Sequence, residues 1–448
     1  MATISALGIG SGLDLNGLLD QLDAAEREKL VPIVRAKKSY EAKISAYGTL
    51  RSALAQFQSA ANKLDKAGLF DSVKSSVAGT ALTAAAGDGA QIGTYQVEVS
   101  QLARAYSVAT VGIADKTEDL GAGTVTINLA NGDSFSVELT SEFSSLKDVR
   151  DKINALDAGV NASIVNDGSG TPYRLALSSS ETGTDSAIAS VDFGALATSL
   201  SLDATTEVTP LNAMAKVNGV DVVSQSNQLE EAIEGMTLVL AEEGSATISV
   251  TSDTETLKKS VMDFVESYNK LQESMAELTA YNSETGDAGK LLGDSTTRSV
   301  ESRLRNVFID GVSEGELQQL SDIGISLQLD GSLEVNEDTL DDLLVSDRRA
   351  LGSFFAGSGD SDGFADKLDT TLDTILKDNG LLKTATNGLD SRIDSLDDQY
   401  DRVDQNIART IARYQTQFGQ LDSTIGRMNS TSSYIAQQFD MLNAQLNQ

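Results

Sequence analysis

Apolar positions near both ends of the chain recur at the spacing of an amphipathic helix. Between Tyr40 and Leu64 they follow one another at steps of three and four residues, and Gly68 then interrupts the pattern. A similar seam runs to the end of the chain through Leu389, Ile393, Leu396, Tyr400, Val403, Ile407, Ile411, Tyr414, Phe418, Leu421, Ile425, Met428, Ile435, Phe439, Leu442 and Leu446. This spacing predicts a coiled-coil seam. We expect residues 40–64 to pack against residues 389–411 as an intramolecular helix pair.

The middle of the chain changes to a period of two, which predicts strands. "TYQVEVSQL" alternates at Tyr95, Val97 and Val99, and "TVTINLANGDSFSVEL" places two alternating runs on either side of an Asn-Gly turn signal, so we expect a hairpin there. An amphipathic helix, "SSLKDVRDKINAL", and two more strands, "VNASIV" and "YRLALSS", complete a ββαββ unit. Further strands are expected at "AKVNGVDVV", "MTLVL" and "ATISVTS".

Helical spacing returns after these strands, from Val261 to Leu278. A helix capped by Asp294 or Ser295, a hairpin turning at Asp330-Gly331 and a helix after Asn336 then follow. The order predicts a multidomain α+β protein, with α-helical coiled-coil or bundle domains built from both chain ends and two β-rich domains inserted in the middle. The predicted domains are a terminal helical leg (1–39 and 412–448), a helical bundle with a small hairpin (40–75 and 251–411), a β-rich domain (76–107 and 208–250) and an inserted β-rich domain (108–207).

Composition narrows the possible functions. The formal charge of −32 argues against nucleic acid and anionic membrane surfaces as partners. The absence of Cys and His removes most hydrolytic triads and the usual metal ligands, so we expect no enzyme, no cofactor and no metal. The glycine-rich stretch Gly8–Leu22 matches neither of the phosphate-binding motifs GxGxxG and GxxxxGK[ST], and its acidic residues would repel a phosphate. No stretch is apolar for long enough to span a membrane, and the N-terminus carries no Sec-type signal.

Two apolar sets near the chain ends lack partners in the local sequence. Residues 412–448 have few opposite-charge pairs at helical spacing and contain Gly419 and Gly426, so we expect them to become ordered only with a partner. The candidate partner and assembly contacts are Leu13, Leu15, Leu18, Leu19, Leu22, Phe418, Leu421, Ile425, Met428, Ile435, Phe439 and Leu442.

Several long motifs together resemble one family. "GIGSGLDLNGLLDQLDAAER", "FVESYNKL", "GKLLGDSTTRSVESRLR" and "GISLQLDGSLEVNEDTL" resemble the hook-associated protein 2 (FliD) family of bacterial flagellar filament caps. Residues 123–180 resemble a β-rich motif of flagellins and other axial flagellar proteins. The resemblance spans almost the whole chain. It implies a ring-shaped homo-oligomer that caps the distal end of the filament and promotes the folding and polymerisation of exported flagellin.

The resemblance also implies partners and a location. The partners would be other copies of the chain, flagellin, the hook–filament junction proteins and an export chaperone at the C-terminal helix. The protein would leave the cell unfolded through the flagellar type III channel, without a cleaved signal peptide, and act outside at the flagellum tip. The resemblance further implies that Gly8–Leu22 and the C-terminal seam form a leg, with the glycines allowing a bend before the helix. Two alternatives remain open: a tip adhesin that binds mucin or a host surface, and a carboxylate-dependent glycosidase.

Overall fold

The computed structural model describes residues 9, 11–359 and 361–446, and the chain divides into two compact units. The terminal unit combines Met1–Ala67 with Lys258–Gln448, and the middle unit is Gly68–Leu257. The chain therefore leaves one unit, forms a second and returns. Gly8 and Gly10, which belong to the glycine-rich stretch, lie outside the described residues.

Helices dominate the terminal unit, whereas α4 and most of α3 belong to the middle unit. The α-helices are α1 (Leu15–Arg27), α2 (Val31–Leu64), α3 (Ala67–Phe70), α4 (Leu146–Ala155), α5 (Thr254–Thr279), α6 (Ser295–Asp310), α7 (Glu337–Ser346), α8 (Arg348–Ala356), α9 (Phe364–Leu376) and α10 (Leu381–Leu446). Short 3-10 turns lie at Glu28–Leu30, Gly194–Thr198 and Leu320–Ile323. The predicted caps are confirmed, since side chains of Asp294 and Asn336 accept hydrogen bonds from the first turns of α6 and α7.

Aromatic rings form the centre of the terminal unit. Phe57 of α2 lies 5.3 Å from Phe264 and 5.4 Å from Tyr268, measured between ring centroids, and Phe308 of α6 stands 4.6 Å from Tyr268. Further ring contacts join this group to Phe354, Phe355 and Phe364. Because these rings come from α2, α5, α6, α8 and α9, one cluster ties together both ends of the chain.

The predicted pairing of residues 40–64 with 389–411 is wrong in register. The Arg392 guanidinium lies over the Tyr40 ring, Lys37 binds Asp397 and Arg27 binds Asp404, so residues 27–40 face residues 392–404 in antiparallel fashion. The helix α2 also packs against α9, and its Phe57 contacts α5. In an antiparallel helix pair, the numbers of two facing residues add up to a constant, which is near 433 here. Periodicity within one helix shows which face is apolar, but it does not show which residues of the other helix lie opposite.

The middle unit is built from strands. They are β1 (Val73–Ala78), β2 (Leu82–Ala86), β3 (Gly93–Gln101), β4 (Ser107–Thr110), β5 (Gly123–Leu129), β6 (Ser134–Leu139), β7 (Val160–Asn166), β8 (Tyr173–Ser179), β9 (Ile188–Asp192), β10 (Leu202–Val208), β11 (Ala213–Val217), β12 (Val220–Ser224), β13 (Gln228–Ile233), β14 (Met236–Leu240) and β15 (Gly244–Ser252). In the terminal unit, β16 (Ile325–Leu327) and β17 (Leu333–Val335) form the predicted hairpin, with Gly331 at φ +88° in its turn.

Two apolar clusters divide the middle unit. One lies beneath the sheet β1-β15-β3-β11-β12 and the sheet β13-β14-β2, and the other beneath β10-β4-β8-β7 and β6-β5-β9. The predicted β5–β6 hairpin is confirmed, since Val125 pairs with Val137 and Ile127 with Phe135. The ββαββ segment contains the expected elements, but its two hairpins belong to different sheets. The helix α4 begins with a capping box between Ser145 and Asp148.

Candidate assembly surface

The first helix starts from a turn that is fastened to the C-terminal helix. Gly12 has φ +74°, a conformation that favours glycine, and Asp14 then accepts a hydrogen bond from the Gly17 backbone at 2.9 Å to cap α1. Both the backbone nitrogen and the hydroxyl of Ser11 donate to an Asp422 carboxylate oxygen, at 2.7 and 2.5 Å. The start of α1 is thereby fixed against α10.

Two ion pairs join the N-terminal helices to α10 in the same register, nearer to the body of the terminal unit. Arg27 reaches Asp404 at 3.1 Å, and Lys37 reaches Asp397 at 2.6 Å. Hydrogen bonding to Asp397 raises the pKa of Lys37, so the ammonium stays charged. These pairs are exposed and therefore fix register more than they add stability. We call residues 11–40 and 392–422, joined in this way, the terminal hairpin.

A narrow apolar seam runs inside the terminal hairpin. Leu30 and Ile33 from one arm are buried with Ile407 from the other. Leu396, Tyr400, Val403 and Ile411 pack against this cluster while remaining partly exposed. These positions are those at which the heptad spacing predicts a seam, so the helical pattern of the C-terminal arm is confirmed.

The predicted contact leucines in and just before α1 differ in burial. Leu15 is buried, Leu19 and Leu22 are half-buried, and Leu13 and Leu18 are exposed. The helix α1 lies against α10, so the C-terminal seam is the surface that takes the inward leucines. The outward pair is left facing solvent.

The predicted contacts on α10 fall into a half-buried and an exposed group. Phe418 and Ile425 are half-buried, and the Phe418 ring stacks on Tyr414 with 6.4 Å between centroids. Leu421 is exposed. Beyond it the exposed apolar side chains, which we call the distal stripe, are Met428, Tyr434, Ile435, Phe439, Met441 and Leu442.

Residues 412–446 form the distal part of α10, which is one uninterrupted helix from Leu381. Propagation of a helix from its packed part costs far less than nucleation. That residues 412–448 become ordered only with a partner stays a prediction. The expected leg boundaries at 39/40 and 411/412 both lie inside uninterrupted helices. Both arms of the terminal hairpin are therefore continuous with the bundle.

Sequence reasoning did not identify an apolar groove beside the terminal hairpin. Val31 and Val34 are exposed there, next to Leu30 and Tyr400, around a cavity of about 370 Å³. The signal was present as two valines three residues apart on one helix face. Among the residues that the structure describes, no group of His, Cys, Asp or Glu is placed to hold a metal, and no helix is apolar enough over sufficient length to cross a membrane.

Comparison with known proteins assigns the chain to a family. The flagellar hook-associated protein 2 N-terminus and C-terminus match residues 11–106 and 211–430, and the flagellin hook IN motif matches residues 124–181. Flagellar hook-associated protein 2 of Escherichia coli K12 is 36% identical, covering 98% of this chain and 99% of the relative, and that of Salmonella typhimurium is 35% identical, covering 99% and 100%. A crystal structure of the flagellar cap protein FliD D1-D2-D3 domains from E. coli matches with a TM-score of 0.66 and 33% identity, over 77% of this chain and 99% of that one. The resemblance inferred from the sequence motifs is thus confirmed, and the chain belongs to the flagellar hook-associated protein 2 family.

Proposed function

We propose that this protein caps the distal end of the bacterial flagellar filament and promotes the folding and polymerisation of exported flagellin there. The observation that carries the proposal is an exposed apolar surface on the helix α10. The chain that bears it is similar to a hook-associated protein 2 over 98% of its length and to a cap protein structure over 77%. We infer a structural role and not a catalytic one, since the relatives are named as hook-associated and cap proteins.

The distal stripe supports assembly with other subunits. Each large apolar side chain that becomes fully buried contributes about 1.5–3 kcal/mol. Six such side chains lie exposed within fifteen residues of α10, from Met428 to Leu442. An apolar surface of this kind marks an interaction site. Copies of this chain in a ring, and flagellin or hook–filament junction proteins below it, are the partners we propose.

Part of the terminal hairpin and the distal stripe together form the proposed leg. Residues 1–39 and 412–448 would reach toward the filament, while residues 40–75 and 251–411 would form the bundle above them. The two β-rich domains would comprise residues 76–107 with 208–250 and residues 108–207. Because α2 and α10 run without a break from leg to bundle, a partner bound at the leg would be coupled mechanically to the bundle.

Export imposes a further requirement on the distal stripe. Before assembly the exposed apolar helix would promote premature self-association. We propose that an export chaperone covers it in the cytoplasm by taking the helix into a groove. The chain would then pass through the flagellar type III pathway and act extracellularly at the flagellum tip.

The test uses a strain that lacks its own copy of the gene and expresses the double variant Ile435→Asp/Phe439→Asp. The matched control is Val220→Asp, because Val220 is 66% exposed and Phe439 is 64% exposed, but Val220 lies in the middle unit. We expect the double variant to melt like the wild type by circular dichroism and to leave secreted flagellin unpolymerised, while the control builds filaments. Normal filaments from the double variant would refute the proposed role of the distal stripe.

A further inference from the structure

A cationic pocket lies in the middle unit, in a protein with a strong excess of negative charge. Its volume is about 350 Å³, and its lining includes three cations, Lys116, Lys147 and Arg150, two polar side chains, Thr117 and Asn166, and the ring of Tyr173. The residues that line it in the described structure include no carboxylate. The chain as a whole has 66 Asp and Glu against 34 Lys and Arg.

The basic residues around this pocket are unevenly distributed. Residues 106–208 contain 15 Asp and Glu but only five Lys and Arg, and three of these five line the pocket. The fourth, Arg174, bonds Asp167 at 2.6 Å and Asp203 at 2.8 Å, and the fifth, Lys152, donates to the Glu138 carbonyl at 2.5 Å. Three of the five cations of this segment are therefore concentrated at one pocket, where Lys116 and Lys147 have no carboxylate among the lining residues.

The pocket is held in shape by the backbone. The Lys147 nitrogen donates to the Lys116 carbonyl at 3.4 Å, which joins the loop after β4 to the start of α4. Tyr173 and Ile113 exchange two backbone hydrogen bonds, at 2.9 and 3.1 Å. Lys147 and Arg150 are three residues apart on α4 and so lie on neighbouring positions of one helix face. The backbone positions that carry the cations are thus fixed, which lowers the cost of binding a ligand.

Nearby carboxylates do not fill the pocket. Asp151 pairs with Arg150 through Nε at 2.7 Å and Nη2 at 2.6 Å, and it lies beside the pocket lining. Asp115 accepts hydrogen bonds from the Thr117 backbone and hydroxyl at 2.9 and 2.8 Å. The Lys116 ammonium instead lies 5.5 Å from the centroid of the Tyr173 ring. The contact with Asp151 orients Arg150, and the contact with the Tyr173 ring orients Lys116.

We infer that this pocket binds a compact oxyanion: a carboxylate, sulfate or phosphate group. Ammonium and guanidinium groups converging on one cavity form charge-assisted hydrogen bonds with such a group and relieve their mutual repulsion. The small cavity fits a free anion or a single acidic side chain of a polypeptide, and the chemistry of recognition is the same for both. The inference concerns the middle unit and does not depend on the capping role.

Isothermal titration of the full chain tests the inference, with inorganic sulfate, citrate and a hexaglutamate peptide as probes at constant ionic strength. We expect saturable binding of one equivalent per chain. The double variant Lys116→Gln/Lys147→Gln should weaken it by at least about tenfold, since each lost charge-assisted bond contributes on that scale. The matched control is Lys74→Gln/Lys216→Gln, which removes two exposed lysines of the same unit that pair with carboxylates away from the pocket.

The outcomes separate the possible ligands. Similar affinity for citrate or sulfate and for the peptide supports a free anion, whereas markedly tighter binding of hexaglutamate supports an acidic segment of a partner polypeptide. The inference is overturned if the wild type shows no saturable binding of any probe, or if the control variant loses as much affinity as the pocket variant. Matching melting curves by circular dichroism establish that both variants are folded.

Discussion

Replacing Ile407 by alanine is expected to open the terminal hairpin while the aromatic cluster of the terminal unit stays folded. Ile407 is 2% exposed and packs against Leu30 and Ile33 from the opposite arm. The ion pairs that join the same arms are exposed and therefore weak. The apolar seam must consequently supply most of the free energy that keeps the arms together.

The magnitude follows from the atoms removed. Isoleucine to alanine deletes three carbon atoms, and each buried methylene contributes about 0.8 kcal/mol. The cavity left behind adds to this, so the total loss is about 2–5 kcal/mol. A loss near 3 kcal/mol raises the equilibrium constant for opening the hairpin on the order of a hundredfold.

Hydrogen exchange followed by mass spectrometry measures that constant directly. Amides of α1 and of residues 392–422 should exchange on the order of a hundredfold faster in Ile407→Ala, while those around Phe264 keep their protection. The matched control is Ile435→Ala, which deletes the same atoms from a side chain that is 48% exposed and should change stability by less than about 0.5 kcal/mol. Unchanged exchange in α1 of the Ile407 variant would refute the reasoning, as would an equal effect of the control.

Three further changes test other parts of the chain. Phe57→Ala should destabilise the terminal unit by about 3–5 kcal/mol, because it removes a fully buried ring that contacts Phe264, Tyr268 and Phe308. Guanidinium unfolding followed by circular dichroism measures this change, and a loss of stability below about 1 kcal/mol would contradict the prediction. Asp65→Asn should raise the urea midpoint at pH 7. Burial, and then the charges of Asp366 and Asp369, raise the pKa of Asp65, so the stability of the wild type falls as pH rises through that raised pKa. The gain in the variant should disappear below about pH 4, and a pH-independent gain would contradict the reasoning. Arg174→Met should lower the urea midpoint of the middle unit, because hydrogen bonding to Arg174 lowers the pKa of Asp167 to about 2. The loss of stability should be complete at pH 7 and shrink between about pH 4 and pH 2, where Asp167 becomes protonated. A loss of stability that does not change with pH would point to packing instead.

Elements with strong local signals could be predicted from the sequence. The Asn-Gly turn and the alternation on both sides of it fixed the β5–β6 register, and Asp294 and Asn336 marked the starts of α6 and α7. In each case the residues that specify the element lie within a few positions of one another. Local chemistry then suffices, because no distant partner has to be known.

Strands with distant partners escaped prediction. The strand β9 pairs with β5, with Asp192 facing Thr126, and β10 pairs with β4, with Leu202 facing Thr110. Both lie in a stretch rich in Ser, Ala and Thr, where alternation is weak. Their strand character comes from pairing partners about sixty or more residues away, as expected when tertiary context outweighs intrinsic propensity.

The sequence predicted which face of the helix in the candidate assembly surface is apolar, but not which residues cover that face. Helical spacing identified the apolar face of α10, yet it could not assign the arm that covers each part of that face. The helix α1 illustrates the same limit, since Leu15 is buried while Leu18 is exposed, although both belong to one predicted apolar set. Which face meets a partner depends on the register between the arms, and that is a property of the assembled hairpin.

The register places the distal stripe beyond Asp422, which Ser11 contacts. Facing residues in the terminal hairpin sum to about 433, so Leu15 at the start of α1 lies opposite the region of Phe418, and Ser11 reaches Asp422. The helix α10 continues to Leu446, and its remaining 24 residues extend about 36 Å at 1.5 Å per residue. Along this extension the apolar side chains Met428, Ile435, Phe439 and Leu442 keep the seven-, four- and three-residue steps of the buried seam. A surface with that spacing accepts side chains from another helix as knobs into holes, so the partner that covers it should present a helix.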